Sequence, residues 1–194
     1  MIGTQAVTPQ TAPAWLARLC SAIDSLGRFG GTVAAIALAL LTLIILSEIS
    51  VRMLSNFFAG IPAGVPMAWE YSSYLMGIAF MAGAAMTLRA GSHIRVTILI
   101  GQLPASGKRL LEIVSSLGGF FLTAFLAWSL ALFTWGSYTR GQTSISSDTP
   151  VWIPEAAITF GAVLLALQML ARTLQAIWNL PLEDPSLKVA GVSE

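Results

Sequence analysis

Four apolar stretches constrain this chain more than any other feature. They cover residues 31–47, 71–88, 113–139 and 156–171, and none of them contains Lys, Arg, Asp or Glu. A helix needs about 20 mostly apolar residues to span the hydrocarbon core of a bilayer, and each stretch reaches that length once its flanks are counted. We therefore predict an all-α polytopic membrane protein with short interfacial amphipathic helices and four transmembrane helices, at about 31–52, 69–88, 111–138 and 153–175.

The composition supports a membrane protein without a cofactor. Of the 194 residues, 56% are hydrophobic and only 10% are charged, against about 25% charged residues in ordinary soluble domains. This excludes most soluble enzymes, and the net charge of +1 gives no reason to expect a nucleic-acid partner. The single histidine and single cysteine exclude a haem held by two histidines of this chain and a zinc site of several Cys and His ligands.

The distribution of basic residues predicts the orientation. Lys and Arg favour the cytoplasmic side of short loops. With a cytoplasmic N-terminus, eight basic residues lie inside and two outside; the inner ones are Arg18, Arg28, Arg89, Arg95, Lys108, Arg109, Arg172 and Lys188, and the outer ones are Arg52 and Arg140. We therefore expect both termini in the cytoplasm. The first apolar stretch ends without a small-residue cleavage site, so we interpret it as a retained span rather than a cleaved signal.

The sequence predicts three regions along the chain. Residues 1–30 are predicted to form a cytoplasmic tail with an amphipathic helix, residues 31–178 the transmembrane domain, and residues 179–194 a polar cytoplasmic tail. The amphipathic helix rests on apolar residues at helical spacing: Trp15, Leu16, Leu19, Ile23 and Leu26. A partly ordered tail is the alternative. In the inner loop, the short apolar run 93–100 is placed in the membrane interface because it cannot span the bilayer.

Several charged and aromatic residues near the predicted outer boundary are candidates for a structural or partner-contact role. Glu48 and Arg52 are spaced i, i+4 with the acid first, which favours an ion pair on one helix face. A direct role of this pair in moving ions or protons is the alternative. Glu70 and Glu155 fall in first turns, where the helix dipole favours acids.

These residues also predict a charged outer rim. Arg52, Glu70, Arg140, Asp148 and Glu155 would lie together there and offer a surface on which a partner protein could dock. Trp69 is placed at the same boundary, where indole rings favour the headgroup level.

The inner side offers a further group of candidates. His93 and Arg95 lie in the inner loop, where a lone histidine is more often an interfacial hydrogen-bonding group than a ligand. We interpret Arg89, Lys108 and Arg109 as topology determinants and contacts to anionic membrane lipids. Small residues spaced by four, such as Ala157 and Gly161, predict close helix packing.

The order of these motifs resembles the small permease subunit of tripartite ATP-independent periplasmic (TRAP) transporters, the DctQ-type family. The resemblance covers about residues 31–178. It rests on Glu48-xxx-Arg52, Trp69-Glu70, the small-residue run 82–85, the segment Arg89-Ala90-Gly91-Ser92-His93-Ile94-Arg95-Val96, Leu103-Pro104, the Ser/Thr-rich outer loop, Pro150 to Pro154 and Gly161. One departure is Thr97, where the family often has an acid.

The resemblance implies a function that depends on partners. It implies a non-catalytic scaffold, in the inner membrane of a bacterium, that supports a large permease subunit in sodium-coupled uptake of an organic acid. A periplasmic binding protein would deliver that acid. The polar end of the chain indicates the form that is not fused to the large subunit. Two alternatives remain at this point: an oligomeric proton-coupled transporter working through Glu48 or Glu70, and a membrane anchor of a redox complex.

Overall fold

The computed structural model describes residues 13–58, 60, 62–90, 105–178 and 180, without the side chains of residues 105, 106, 108 and 109. It contains four helices: α1 (Ala14–Ser55), α2 (Ala68–Arg89), α3 (Ala105–Thr139) and α4 (Trp152–Ile177). The described part has no β-strand, only one isolated bridge between Thr143 and Pro150. All four helices are long and apolar enough to cross a membrane. The predicted all-α fold with four spans is confirmed.

The predicted amphipathic segment is helical, but it is continuous with the first span. Together they form one helix of 42 residues, which is about 63 Å long at 1.5 Å per residue. The glycines between the two parts stay within the helix. Their lack of a side chain allows close packing of the neighbouring helix. A Cβ atom added at Gly30 would lie 2.7 Å from the carbonyl oxygen of Ala82 in α2.

The apolar face of this first part packs against the protein rather than being free to lie on the membrane surface. Leu16, Cys20 and Ile23 are buried together with Ala171 of α4. The rings of Trp15 and Trp178 meet edge to face, with 6.0 Å between their centroids. The amphipathic pattern therefore marks a helix–helix contact.

The helices pack in the order α1, α2, α4, α3, with α1 also touching α4. Small residues bring the central pair together: a Cβ atom at Gly161 of α4 would lie 2.6 Å from the carbonyl carbon of Met81 in α2. The fourth helix of the row, α3, makes its main contacts with α4 alone. The bundle has two ends along its helix axes. We call the end with Arg89 and Arg172 the arginine end, and the end with residues 62–67 and 140–151 the loop end.

Candidate functional site

At the arginine end, polar side chains join three helices. Asp24 of α1 forms an ion pair with Arg89 of α2, with 3.2 Å between the carboxylate oxygen and the guanidinium nitrogen. Two amides of α4 complete the contact: Gln168 donates to Asp24 at 3.0 Å, and Arg89 donates to Gln175 at 3.1 Å. Both charged side chains are more than four-fifths buried. Since a buried charge is tolerated only when it is paired and hydrogen-bonded, this network fixes the positions of α1, α2 and α4.

A second ion pair fastens α3 to α4 at the same end. Arg172 donates two hydrogen bonds to one carboxylate oxygen of Glu112, from Nε at 2.9 Å and from Nη2 at 2.5 Å. The Arg172 side chain is 9% exposed. The planar guanidinium provides both donors to the carboxylate in a fixed geometry. With this pair, all four helices are joined at the arginine end.

The loop end begins with Glu48, which holds the connection between α1 and α2. One of its carboxylate oxygens accepts a hydrogen bond from Arg52 at 2.7 Å, and the other accepts the backbone N–H of Val65 at 2.5 Å. A Cβ atom at Gly64 would meet the carboxylate at 2.8 Å, so a larger residue there would displace the Glu48 carboxylate. Arg52 itself is 65% exposed. Glu48 is therefore the member of the pair that organises the connection.

Glu70 holds the other connection of the loop end, residues 140–151. Its carboxylate accepts hydrogen bonds from Tyr74 at 2.7 Å and from Ser147 at 2.8 Å. Next to it, the hydroxyls of Tyr71 and Thr149 lie 3.0 Å apart. These contacts bind the Ser/Thr-rich loop to the start of α2.

The side chains of the remaining candidates of the loop end make none of the hydrogen bonds of these two contacts. Trp69 is 84% exposed. Arg140 is exposed at the end of α3, 3.5 Å from the amide oxygen of Gln142. Asp148 is exposed in the loop with a positive φ of 52°. Glu155 lies in the first turn of α4, and one of its carboxylate oxygens is buried with no hydrogen-bond partner among the described residues. His93 and Arg95 lie outside the described residues.

The polar side chains of the two ends join helices and loops. Within the described ranges, no group of three His, Cys, Asp or Glu side chains could hold a metal ion. Four acids are occupied by arginine, hydroxyl or backbone donors: Asp24, Glu48, Glu70 and Glu112. The arrangement joins helices and loops and leaves no described carboxylate cluster for ion coordination.

The comparison with known families decides the identity. Residues 41–178, well over half of the chain, match the family described as "Tripartite ATP-independent periplasmic transporters, DctQ component". The chain belongs to this DctQ family. It is thus a component of a TRAP transporter, and the predicted resemblance is confirmed.

Curated relatives of this DctQ-family chain are small permease proteins of TRAP transporters. The C4-dicarboxylate TRAP transporter small permease protein DctQ of Rhodobacter capsulatus is 28% identical over 109 residues, covering 55% of this chain and 48% of the relative. The ectoine TRAP transporter small permease protein TeaB of Halomonas elongata is 27% identical over 158 residues, covering 81% of this chain and 79% of the relative. The match thus spans about half of the Rhodobacter protein. No solved structure is significantly similar to the chain.

The polar network of the arginine end is not among the sequence-based predictions for this DctQ-family chain. These assign Arg89 to topology and lipid contact, and Glu112 is not among their candidates. One signal was available: Gln168, Arg172 and Gln175 are spaced by four and three residues within an otherwise apolar helix. That spacing places them on one helix face, and polar groups in a span generally face other helices.

Proposed function

We propose that this chain is a non-catalytic scaffold subunit that supports the large permease subunit of a TRAP transporter in a bacterial inner membrane. In this proposal the transporter takes up an organic acid with sodium, and a periplasmic binding protein delivers the acid. The named relatives serve transporters of C4-dicarboxylates and of ectoine. Such chemically different solutes support placing the choice of substrate in other chains.

The observation that carries the proposal is the distribution of polar groups along the bundle. The ion pairs of the described residues lie at its two ends. Between them, helices meet through small residues such as Gly30, Gly83 and Gly161. The hydroxyl of Thr123 bonds to its own helix, and those of Thr134 and Thr159 bond to each other. A bundle that is joined by ion pairs at both ends and packed through small residues between them is suited to hold a partner in place rather than to pass a polar solute.

A test of the scaffold role is uptake in liposomes. The chain reconstituted alone should give sodium-dependent uptake of an organic acid no higher than empty liposomes, because its described spans offer no polar site at mid-depth. Adding the large subunit and the binding protein should restore uptake, and the large subunit with the binding protein but without this chain should not. Uptake by the chain alone would refute the proposal and favour the proton-coupled alternative.

We also propose that the arginine end faces the cytoplasm, with both termini on that side. The eight basic residues assigned to that side support this orientation. In a Cys20→Ser background, an impermeant thiol reagent applied to intact spheroplasts should label Ser146→Cys at the loop end and leave Ser21→Cys at the arginine end unlabelled. Both residues are exposed. The reverse pattern of labelling would contradict the orientation, and lysed cells should label both.

A further inference from the structure

One face of α3 is apolar and uncovered along almost the whole helix. Its side chains follow one another at steps of three or four residues, which places them on one side of a helix, and their exposure runs from 41% to 72%. We call this surface the Trp128 face; it consists of Leu110, Val114, Leu117, Phe121, Phe125, Trp128, Leu132 and Trp135. Since α3 makes its main contacts with α4 alone, the described part of the chain does not cover this face.

Trp128 is unusual because of its depth. It lies 11 residues before the last residue of α3, Thr139, which is about 16 Å along the helix axis. Trp135, which we place near the interface, lies seven residues or about 10 Å from Trp128 along the axis, so Trp128 lies well inside the hydrocarbon core, which is about 30 Å thick. Indole rings normally favour the two membrane interfaces, and Trp69, Trp135, Trp152 and Trp178 all lie within about one turn of a helix end.

The indole N–H of Trp128 is a donor in a place where lipid offers no acceptor. The side chain is 66% exposed, and within the described residues its N–H makes no hydrogen bond. A polar group left without a partner in hydrocarbon costs free energy, about 2–7 kcal/mol for an amide or hydroxyl. Facing lipid is therefore unfavourable for this ring, whereas a protein partner can provide an acceptor.

The exposed side of α1 is different and suits lipid. Its large exposed residues within the span are all aliphatic or Met, for example Ile36, Leu43 and Ile49. Its hydroxyl groups are bonded to the backbone of their own helix, as in Thr42 to Leu38 at 2.8 Å. The surface of α1 thus presents no polar group that requires a partner, so the two exposed faces of the bundle can be told apart by their chemistry.

We propose that the Trp128 face of α3 is the contact surface for the large permease subunit, which provides a hydrogen-bond acceptor to Trp128 inside the hydrocarbon core. This rests on the proposed function. Aromatic side chains bury about 150–250 Å² each, so the four aromatic side chains of the face, about two-thirds exposed, offer roughly 400–650 Å². The four aliphatic side chains add to this area, which brings the face to about the 800 Å² that one partner contributes to a standard protein interface.

A groove beside this face provides a second element of the surface. It has a volume of about 500 Å³ and lies between α3 and α4 at the loop end, where Trp135, Tyr138, Trp152 and Phe160 line it. Trp135 belongs both to the groove and to the Trp128 face. The groove is nearly all apolar in character, so it fits an apolar side chain projecting from the partner helix.

Photo-crosslinking in the assembled complex tests the location. The chain is co-expressed with the large subunit, with p-benzoylphenylalanine at position 125 or, as the matched control, at position 43; Phe125 is 72% and Leu43 is 62% exposed. We expect an adduct with the large subunit from position 125 and none from position 43. Adducts only with lipid or with a second copy from position 125, or an adduct with the large subunit only from position 43, would overturn the proposed surface.

The hydrogen bond is tested by Trp128→Phe, which keeps an aromatic ring and removes the N–H. The variant should bind the large subunit about fivefold more weakly, the effect of one average hydrogen bond, measured by co-purification at graded expression. Trp15→Phe is the matched control: it lies on α1 at the arginine end, outside the proposed surface, and is 56% exposed, so binding should stay close to wild type. Wild-type affinity of Trp128→Phe would overturn the proposed hydrogen bond. If the wild-type chain itself does not co-purify, the proposed function fails and this surface with it, whereas co-purification with crosslinks elsewhere refutes the surface alone.

Discussion

Replacing Arg172 with alanine should lower the free energy of unfolding of the purified chain by about 3–5 kcal/mol, the usual cost of removing one partner of a buried ion pair. The guanidinium is 9% exposed and donates twice to Glu112. Its loss leaves the Glu112 carboxylate mostly buried without its cation at the contact of α3 with α4. The measurement is unfolding in detergent, followed by circular dichroism during titration with a denaturing detergent.

Two controls separate the ion pair from a general effect of losing a charge. Arg140→Ala removes an exposed arginine at the loop end and should change stability by no more than about 0.5 kcal/mol. Replacing both Glu112 and Arg172 with leucine should cost much less than Arg172→Ala, because no unpaired charge remains. Equal losses of stability in Arg140→Ala and Arg172→Ala would show that the pair does not act as a unit. So would a double leucine replacement that costs as much as the two single leucine replacements, at Glu112 and at Arg172, added together.

Gly161→Ala is expected to have the second large effect, through the contact of α4 with α2. The new methyl group would lie 2.6 Å from the carbonyl carbon of Met81 and 2.7 Å from the backbone nitrogen of Ala82. Backbone atoms cannot rotate away, so the two helices must separate. Overpacking of this kind costs about 1–3 kcal/mol, and a fall in the Tm of the purified chain should reveal it.

Gly118→Ala is the matched control for this change. A Cβ atom at Gly118, in α3, meets nothing within 4 Å. The same replacement should therefore leave Tm unchanged or raise it, because alanine favours a helix over glycine by about 1 kcal/mol. A fall in Tm of similar size in both variants would mean that the close contact at Gly161 does not limit stability.

The four spans could be predicted because their signal is local. Each is an uninterrupted apolar run with charges at its flanks, and lipid accepts backbone only in helical form. The continuity of α1 could not be predicted in this way. In the sequence alone, the glycines at 27, 30 and 31 are typical of a break in a helix. In the structure they form a packing surface, because α2 lies directly beside Gly30.

The polar contacts also differ in whether the sequence can predict them: contacts within one helix can be predicted, and contacts between distant segments cannot. Glu48 and Arg52 form a pair within one helix, so their spacing alone indicates it. The contact of Glu70 with Ser147 joins residues 77 positions apart, and that of Asp24 with Gln168 joins residues 144 positions apart. Such contacts depend on which helices are neighbours, and the hydropathy pattern carries no information about neighbours.

The charges of the two ends also set a length for the molecule. Along α1, Arg28 and Glu48 are 20 residues apart, and along α2, Glu70 and Arg89 are 19 residues apart, which corresponds to about 28–30 Å along a helix axis. This equals the hydrocarbon thickness of an average bilayer. A thicker bilayer would draw these paired charges towards the acyl chains, and the bundle, joined at both ends, would have to meet the mismatch as a whole by thinning the lipid around it. The thickness of the surrounding membrane is thus a physical variable to which this subunit is matched.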